Sequence, residues 1–184
     1  MNVANVLTIS RLALVPVFLF ALFYGSGDDQ AWRLIAAVLF AVASITDQVD
    51  GWVARRYGLI TDFGKIADPI ADKALTGSAL VGLSLLGELP WWVTFVIAAR
   101  EIGVTLLRFW VIKHGVIPAS RGGKVKTMAQ VLAIGLFLLP LPLALDPVRW
   151  VMMGIALLLT VATGVDYVVR AIRLRTVGMR VQGQ

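Results

Sequence analysis

Residues 47–72 read DQVDGWVARRYGLITDFGKIADPIAD, and this acidic stretch between long apolar runs decides the fold. On a helix that advances ~100° per residue, Asp47 and Asp50 share one face, and Asp68 and Asp72 share another. The short, glycine-containing segment between the two faces predicts an antiparallel helical hairpin. Residues whose numbers have the same sum lie level in such a pair, so Asp47 should be level with Asp72 and Asp50 with Asp68. We therefore expect four carboxylates at one depth.

Carboxylates that converge repel each other, and a charged residue near the middle of a membrane helix costs about 2.5–3.5 kcal/mol on insertion scales. Oxygen ligands select hard divalent cations, so the hairpin predicts two Mg²⁺ ions, with Mn²⁺ as a plausible substitute. Beside the carboxylates, Gly51, Ala54 and Gly64 leave room for a ligand, and Arg55 offers a fork for phosphate. With a diphosphate bound, the metals would clamp the oxygens of a displacement at phosphorus. Two other interpretations stay open: an internally satisfied polar seam, and the cation or proton path of a small transporter.

The composition predicts an all-α integral membrane protein of one domain, residues 1–184. The chain is 59% hydrophobic and only 15% charged, which is more apolar surface than one soluble core of 184 residues can hide. It contains no cysteine, which excludes disulfides and thiolate zinc sites. Its one histidine, His114, lies in a basic loop and is expected to be solvated.

Six apolar runs approach the ~20 residues that a bilayer needs, so we predict a bundle of six transmembrane helices. The predicted spans run from about residue 5 to 24, 32 to 57, 62 to 86, 91 to 113, 125 to 145 and 150 to 170. The first is expected to be an uncleaved span, because no small-residue cleavage site precedes the polar Gly25–Asp29 segment.

The distribution of lysine and arginine predicts the orientation. Most of them fall after the second, fourth and sixth runs, whereas the other connections hold only Arg33 and Arg149. Both termini and the acidic hairpin should therefore face the cytoplasm, in a multi-pass protein of the plasma membrane. This bias, with attraction to anionic lipid, accounts for the net charge of +6, so we predict no binding to nucleic acid.

The fourth run carries a second group of charges, Arg100, Glu101 and Arg108. Glu101 and Arg108 are seven residues apart on one face and can hold each other, as part of an ion-pair network that orients the helices. Alternatively, the arginines bind a phosphate of the substrate together with basic residues of the following segment. The residues predicted for such a phosphate site are Arg100, Arg108, Arg121, Lys124 and Lys126.

The pattern Asp-x2-Asp-Gly-x2-Ala-Arg-x8-Gly-x3-Asp-x3-Asp fits the signature of the CDP-alcohol phosphotransferases at every fixed position, and the chain resembles this family. The resemblance implies a six-helix membrane enzyme, usually a homodimer, that transfers a substituted phosphoryl group from a CDP-linked lipid to an alcohol and releases CMP. Asp47, Asp50 and Asp68 match the family's metal ligands. Asp72 matches the acid that binds the second metal and takes the proton of the acceptor hydroxyl. The positions that match the CDP-lipid site are Thr8, Arg11, Gly51, Ala54, Arg55, Thr61 and Gly64. For Thr8 and Arg11, helix capping and a side chain that reaches the membrane interface stay open as alternatives.

Residues 99–102, 107–108 and 123–130 resemble the phosphatidylglycerophosphate synthase branch of the family. This implies transfer of a phosphatidyl group from CDP-diacylglycerol to glycerol 3-phosphate in phospholipid biosynthesis. Gln48 departs from the branch, whose members often have an aromatic residue there. Inositol phosphate, serine and phosphatidylglycerol stay open as other acceptors.

Overall fold

The computed structural model describes the backbone of residues 3–27, 29–57, 62–111 and 121–182. It places the side chains of residues 9–24, 27, 29–46, 70–71, 73–107, 110 and 122–174. These backbone segments form helices and no strand, which confirms the predicted all-α class for the described residues. The helices are α1 (Val3–Phe23), α2 (Gln30–Tyr57), α3 (Asp62–Leu85), α4 (Trp91–Val111), α5 (Arg121–Leu138) and α6 (Asp146–Gln182), with short 3₁₀ helices at Tyr24–Gly27 and Leu143–Leu145.

Two helices end at positions other than the predicted ends of their membrane spans. The fifth helix was expected to continue to Leu145 but ends at Leu138, because Pro140 and Pro142 lack an N–H donor and disfavour helical geometry in the residue before them. The sixth span was predicted to end near Arg170, and α6, the helix that contains it, continues to Gln182. Residues 171–182 contain no proline, and the helix continues through Gly178.

The chain forms two compact units, which we call the first and the second unit. The first contains Met1–Pro90 and Ile134–Asp146, and the second contains Trp91–Ala133 and Pro147–Gln184. In the first unit, α1 packs against both α2 and α3, around the fully buried side chains of Phe18, Phe40 and Leu83. A Cβ atom at Gly82 would lie 2.5 Å from a methyl carbon of Leu22, so this glycine permits the close approach of α3 to α1.

The C-terminus of α3 is closed by a Schellman motif. The N–H of Glu88 donates to the carbonyl of Leu83 at 3.0 Å, and the N–H of Gly87 donates to that of Ser84 at 3.2 Å. Gly87 adopts a φ of 76°, which a residue with a Cβ rarely does. The motif turns the chain sharply after α3 and fixes the position of Glu88.

Glu88 is one partner of Arg33, a residue of α2 that is only 5% exposed. The two Nη atoms of Arg33 donate to the two carboxylate oxygens of Glu88, and Nη2 also donates to the carbonyl oxygen of Phe137 at 2.7 Å. The carbonyl of Phe137 lies in the last turn of α5, where carbonyls lack a helical partner and a cation is favoured. Arg33 therefore ties together α2, the turn after α3 and the end of α5.

Among the residues with described side chains, one segment is both long and apolar enough to cross a membrane, Leu143–Leu174. Three apolar helical segments are shorter: Ile9–Phe23, Gln30–Thr46 and Lys73–Leu85. A core helix of a soluble protein can also satisfy this criterion, so the long segment alone does not establish a membrane protein. The six-span topology and its orientation stay predictions.

We expect Glu88→Ala to destabilise the first unit, because it leaves the buried Arg33 guanidinium without its carboxylate. Removing one partner of a buried pair costs about 3 kcal/mol or more, which corresponds to a melting temperature lower by on the order of 5–10 °C. The measurement is thermal unfolding in detergent. The control is Asp166→Ala, which breaks the exposed Arg170–Asp166 pair of α6 and should cost less than about 1 kcal/mol. Equal melting temperatures for the two variants would contradict the role assigned to Arg33.

Candidate active site

The helix bounds place the four hairpin aspartates on the backbone of two neighbouring helices. Helices α2 and α3 contact each other, and four residues separate their ends, so the two helices run antiparallel. Asp47 lies ten residues before the end of α2, and Asp72 lies ten residues after the start of α3. Asp50 and Asp68 lie seven and six residues from the same ends. These positions agree with the level arrangement expected from the sequence.

The carboxylates themselves lie outside the described side chains, so their convergence stays a prediction. The same holds for several other predicted site residues, namely Thr8, Gly51, Ala54, Arg55, Thr61, Gly64, Arg108 and Arg121. In the part of the chain whose side chains are placed, no group of three or more acidic, histidine or cysteine side chains is arranged to hold a metal. The donor set of the hairpin consists entirely of carboxylates, which suits a hard divalent cation.

Arg11, predicted to lie near the nucleotide, is a buried cation of the first unit. It is only 2% exposed and belongs to α1, the helix that packs against both α2 and α3. A guanidinium buried in an apolar body needs anions around it. Its position is thus compatible with the predicted binding of a diphosphate, and this role stays a prediction.

In the second unit, Glu101 of α4 joins two of the cations predicted for the phosphate site. Its Oε1 atom accepts hydrogen bonds from Arg100 Nη1 at 3.0 Å and from Lys126 Nζ at 2.5 Å. Lys126 belongs to α5 and is only 4% exposed, and a cation buried this deeply needs an anion beside it, which Glu101 supplies. We call Arg100, Glu101 and Lys126 the Glu101 cluster.

Helix α6 completes the surroundings of Arg100. Arg100 Nη2 donates to the hydroxyl oxygen of Thr163 at 3.0 Å. A Cβ atom on the next residue, Gly164, would lie 3.2 Å from Arg100 Cγ, which is tighter than ordinary contact. The arginine is therefore held by groups from two helices.

The structure brings together only some of the residues predicted for the phosphate site. Arg100 and Lys126 share one carboxylate, whereas Lys124 is exposed, because two residues along a helix turn the side chain by ~200°. The predicted pair of Glu101 with Arg108 lies outside the described side chains, and the described partners of Glu101 include Arg100 and Lys126.

Sequence reasoning missed the contribution of α6. The available signal was the small, polar Thr163-Gly164 step inside an apolar run, which is common where helices pack closely. That signal does not indicate which residue of another helix Thr163 and Gly164 contact.

Comparison with known proteins assigns the chain to a class. The model of the CDP-alcohol phosphatidyltransferase family matches residues 1–162, which includes parts of both units. The chain belongs to this family of transferases. The family is membrane-associated and generally depends on a divalent metal.

Individual relatives narrow the comparison. The chain is 61% identical over 172 residues to a "probable phosphatidylglycerophosphate synthase" of Mycobacterium tuberculosis, covering 94% of this chain and 82% of that protein. It is 38% identical over 179 residues to the "CDP-diacylglycerol--glycerol-3-phosphate 3-phosphatidyltransferase" of Bacillus subtilis, covering 90% of this chain and 93% of the relative. A protein of the same name from Rickettsia typhi is 39% identical over 171 residues, with coverages of 90% and 94%.

We expect Glu101→Gln to lower both the melting temperature and the activity, because it leaves two buried or half-buried cations without their carboxylate. The double variant Glu101→Gln with Lys126→Met should regain part of the melting temperature, since it replaces the more deeply buried pair by neutral groups and leaves only Arg100 without the carboxylate. Its activity should stay low, because Lys126 is predicted to bind the acceptor. Thermal unfolding and turnover, measured on the same preparations, test both statements. Recovery of turnover in the double variant would exclude a functional role for Lys126.

Proposed function

We propose that the protein transfers a phosphatidyl group from CDP-diacylglycerol to sn-glycerol 3-phosphate, giving phosphatidylglycerol phosphate and CMP. The observation that carries this proposal is the 61% identity to a relative named as a probable synthase of this product. The complete acidic signature in α2 and α3 supports the chemistry. The Glu101 cluster supports an anionic acceptor, because it places two cations side by side.

In the proposed reaction, the 1-hydroxyl oxygen of glycerol 3-phosphate attacks the β-phosphorus of the CDP-lipid, and the bond from this phosphorus to the oxygen of CMP breaks. Asp72 accepts the hydroxyl proton. Asp47, Asp50, Asp68 and Asp72 would hold two Mg²⁺ ions, with Mn²⁺ as a possible substitute. When bound, these ions supply Lewis acidity at the diphosphate and charge stabilisation for the leaving CMP. Arg11, with the other CDP-lipid residues predicted from the sequence, orients the nucleotide.

The acceptor phosphate is held by the cations predicted for it, with Arg100 and Lys126 at the centre. Arginine offers a planar fork and lysine a point charge, and both are common phosphate ligands. The roles of Arg108, Arg121 and Lys124 are part of the same proposal. Inositol phosphate would also suit two cations, whereas serine carries no phosphate for them to bind.

We further propose one catalytic domain of six transmembrane helices, with both termini and the acidic hairpin on the cytoplasmic side of the plasma membrane. Both units expose large apolar side chains, among them Phe20 (60%), Phe95 (64%) and Leu158 (73%), which is unusual for a soluble monomer and expected against lipid. Trp91, Trp92 and Trp150 are exposed as well, as residues of an interfacial aromatic belt would be. A homodimer is proposed from the resemblance to the family.

The first test is CMP release by the purified protein in detergent with Mg²⁺ and CDP-diacylglycerol. We expect release that depends on glycerol 3-phosphate and is abolished by chelation of the metal. Parallel reactions contain inositol phosphate, serine, phosphatidylglycerol or no acceptor. Release with a different acceptor would keep the proposed chemistry and overturn the acceptor. No release with any acceptor, from protein shown to be folded, would favour a small cation or proton transporter.

Asp72→Asn should reduce turnover below about 1% of the wild type, because the amide cannot accept the hydroxyl proton and general acid–base catalysis contributes ~10²–10⁴-fold. Binding of CDP-diacylglycerol should be largely retained, since the other three carboxylates remain. Turnover and equilibrium binding of the CDP-lipid are the two measurements. Undiminished turnover would remove Asp72 as the base.

A further inference from the structure

Thr163 of α6 presents a fixed hydroxyl to Arg100. Its Oγ1 atom lies 2.6 Å from the carbonyl oxygen of Leu159, to which it donates its proton. With the proton directed to its own helix, the hydroxyl oxygen is left as an acceptor, and it accepts the N–H of Arg100 Nη2 at 3.0 Å. The position of this guanidinium nitrogen is therefore set by the backbone of α6.

Gly164 leaves space beside the same guanidinium. A Cβ atom there would lie 3.2 Å from Arg100 Cγ and 3.9 Å from Arg100 Nε. Any larger residue at this position must push the arginine side chain away or be displaced itself. Glycine thus allows Arg100 to lie against α6 at the height of Thr163.

Arg100 keeps hydrogen-bonding capacity in this position. A guanidinium has five N–H donors, and the hydrogen bonds described for Arg100 go from Nη1 to Glu101 and from Nη2 to Thr163. Its Nε atom is buried and has no hydrogen-bond partner among the described residues. A buried donor without an acceptor is costly unless a ligand supplies one. An anion with several oxygens would satisfy it.

We propose that Thr163 and Gly164 are positioning residues of the acceptor site. They hold the side chain of Arg100 beside Lys126, where both cations contact Glu101. The remaining N–H donors of Arg100 are then available for the phosphate monoester of the acceptor. The inference rests on the proposed function and extends it to α6, in which the sequence analysis predicted no functional residue. Thr163 and Gly164 act through Arg100 and do not themselves touch the substrate.

The test compares matched variants within α6. Thr163→Val removes the hydroxyl but keeps the shape, whereas Thr160→Val removes a fully buried hydroxyl that has no hydrogen-bond partner among the described residues. Gly164→Ala adds a methyl group against Arg100, whereas Gly154→Ala adds one that meets no atom of the described side chains within 4 Å. Thr163→Ser, which retains the hydroxyl, is the conservative rescue. The measurements are kcat, KM for glycerol 3-phosphate, KM for CDP-diacylglycerol, and the melting temperature.

We expect Thr163→Val and Gly164→Ala to raise KM for glycerol 3-phosphate by about five- to tenfold, as for the loss of one well-placed hydrogen bond. KM for CDP-diacylglycerol should not change, and Thr163→Ser and both α6 controls should match the wild type. A lower melting temperature or kcat with unchanged KM for glycerol 3-phosphate would show that the network only packs the helices, and would overturn the inference. A raised KM for CDP-diacylglycerol alone would overturn it too, because the anion would then be the diphosphate of the lipid.

Direct binding separates this inference from the proposed function. The equilibrium Kd of glycerol 3-phosphate is measured by calorimetry for the wild type, Thr163→Val and Thr160→Val, without CDP-diacylglycerol. If the wild-type protein releases CMP only with another acceptor, the proposed function is overturned. The Kd for glycerol 3-phosphate then decides whether Thr163 positions Arg100 for a phosphate. A Kd raised in Thr163→Val alone supports the positioning role. A Kd equal in all three proteins, or no binding to any of them, contradicts it.

Discussion

The structure depends on one constraint: a charge inside a body of apolar helices must be paired or must serve a ligand. Only 15% of the residues are charged, and several of the described ones are buried, including Arg11, Arg33 and Lys126. The energy of an unpaired buried ion is far larger than the margin by which proteins are stable. Each buried cation therefore identifies a place where the fold either secures its helices or prepares a binding site.

The number of satisfied donors distinguishes these two uses. Arg33 has both carboxylate oxygens of Glu88 and the carbonyl of Phe137, all from elements that it joins, so its hydrogen bonds account for its burial. Arg100 is held by a single oxygen of Glu101 and by the hydroxyl of Thr163, while its Nε is buried and has no partner in the part of the chain that the structure describes. The first arrangement is complete without a ligand. In the second arrangement, N–H donors of Arg100 remain available for a ligand, as a phosphate site requires.

The sequence was sufficient for features that depend on local pattern. The acidic hairpin could be predicted because helical spacing fixes which residues share a face, and the ends of α2 and α3 then set Asp47 and Asp72 at equal distances from the connection. The end of α5 was predicted wrongly, although the sequence contains Pro140 and Pro142. The prediction followed the hydrophobicity of the segment, whereas the backbone restriction of proline ends the helix.

The contact of Glu101 with Lys126 could not be predicted in the same way. Spacing within α4 suggested Arg108, whose side chain lies outside the described ones, whereas Lys126 comes from another helix, and pairing between helices depends on their register and rotation. Those quantities follow from the packing of many weakly specific apolar contacts. The roles of Thr163 and Gly164 were missed for the same reason, since the role of a small residue on α6 can be inferred only when the residue that it contacts, here Arg100, is known.

The choice of arginine at position 100 follows from this geometry. Two different nitrogens of one rigid plane reach Glu101 on α4 and Thr163 on α6, and the donors that remain lie in the same plane. A lysine carries its three donors on one nitrogen at the end of a flexible stem, so it offers a ligand no fixed direction. Lys126 can be a lysine because it contributes mainly charge, and Glu101 supplies a counter-charge beside it in a buried position. The cluster thus combines one cation that is fixed in direction with one that is adaptable, which is the combination that a small, mobile phosphate ester requires of its binding site.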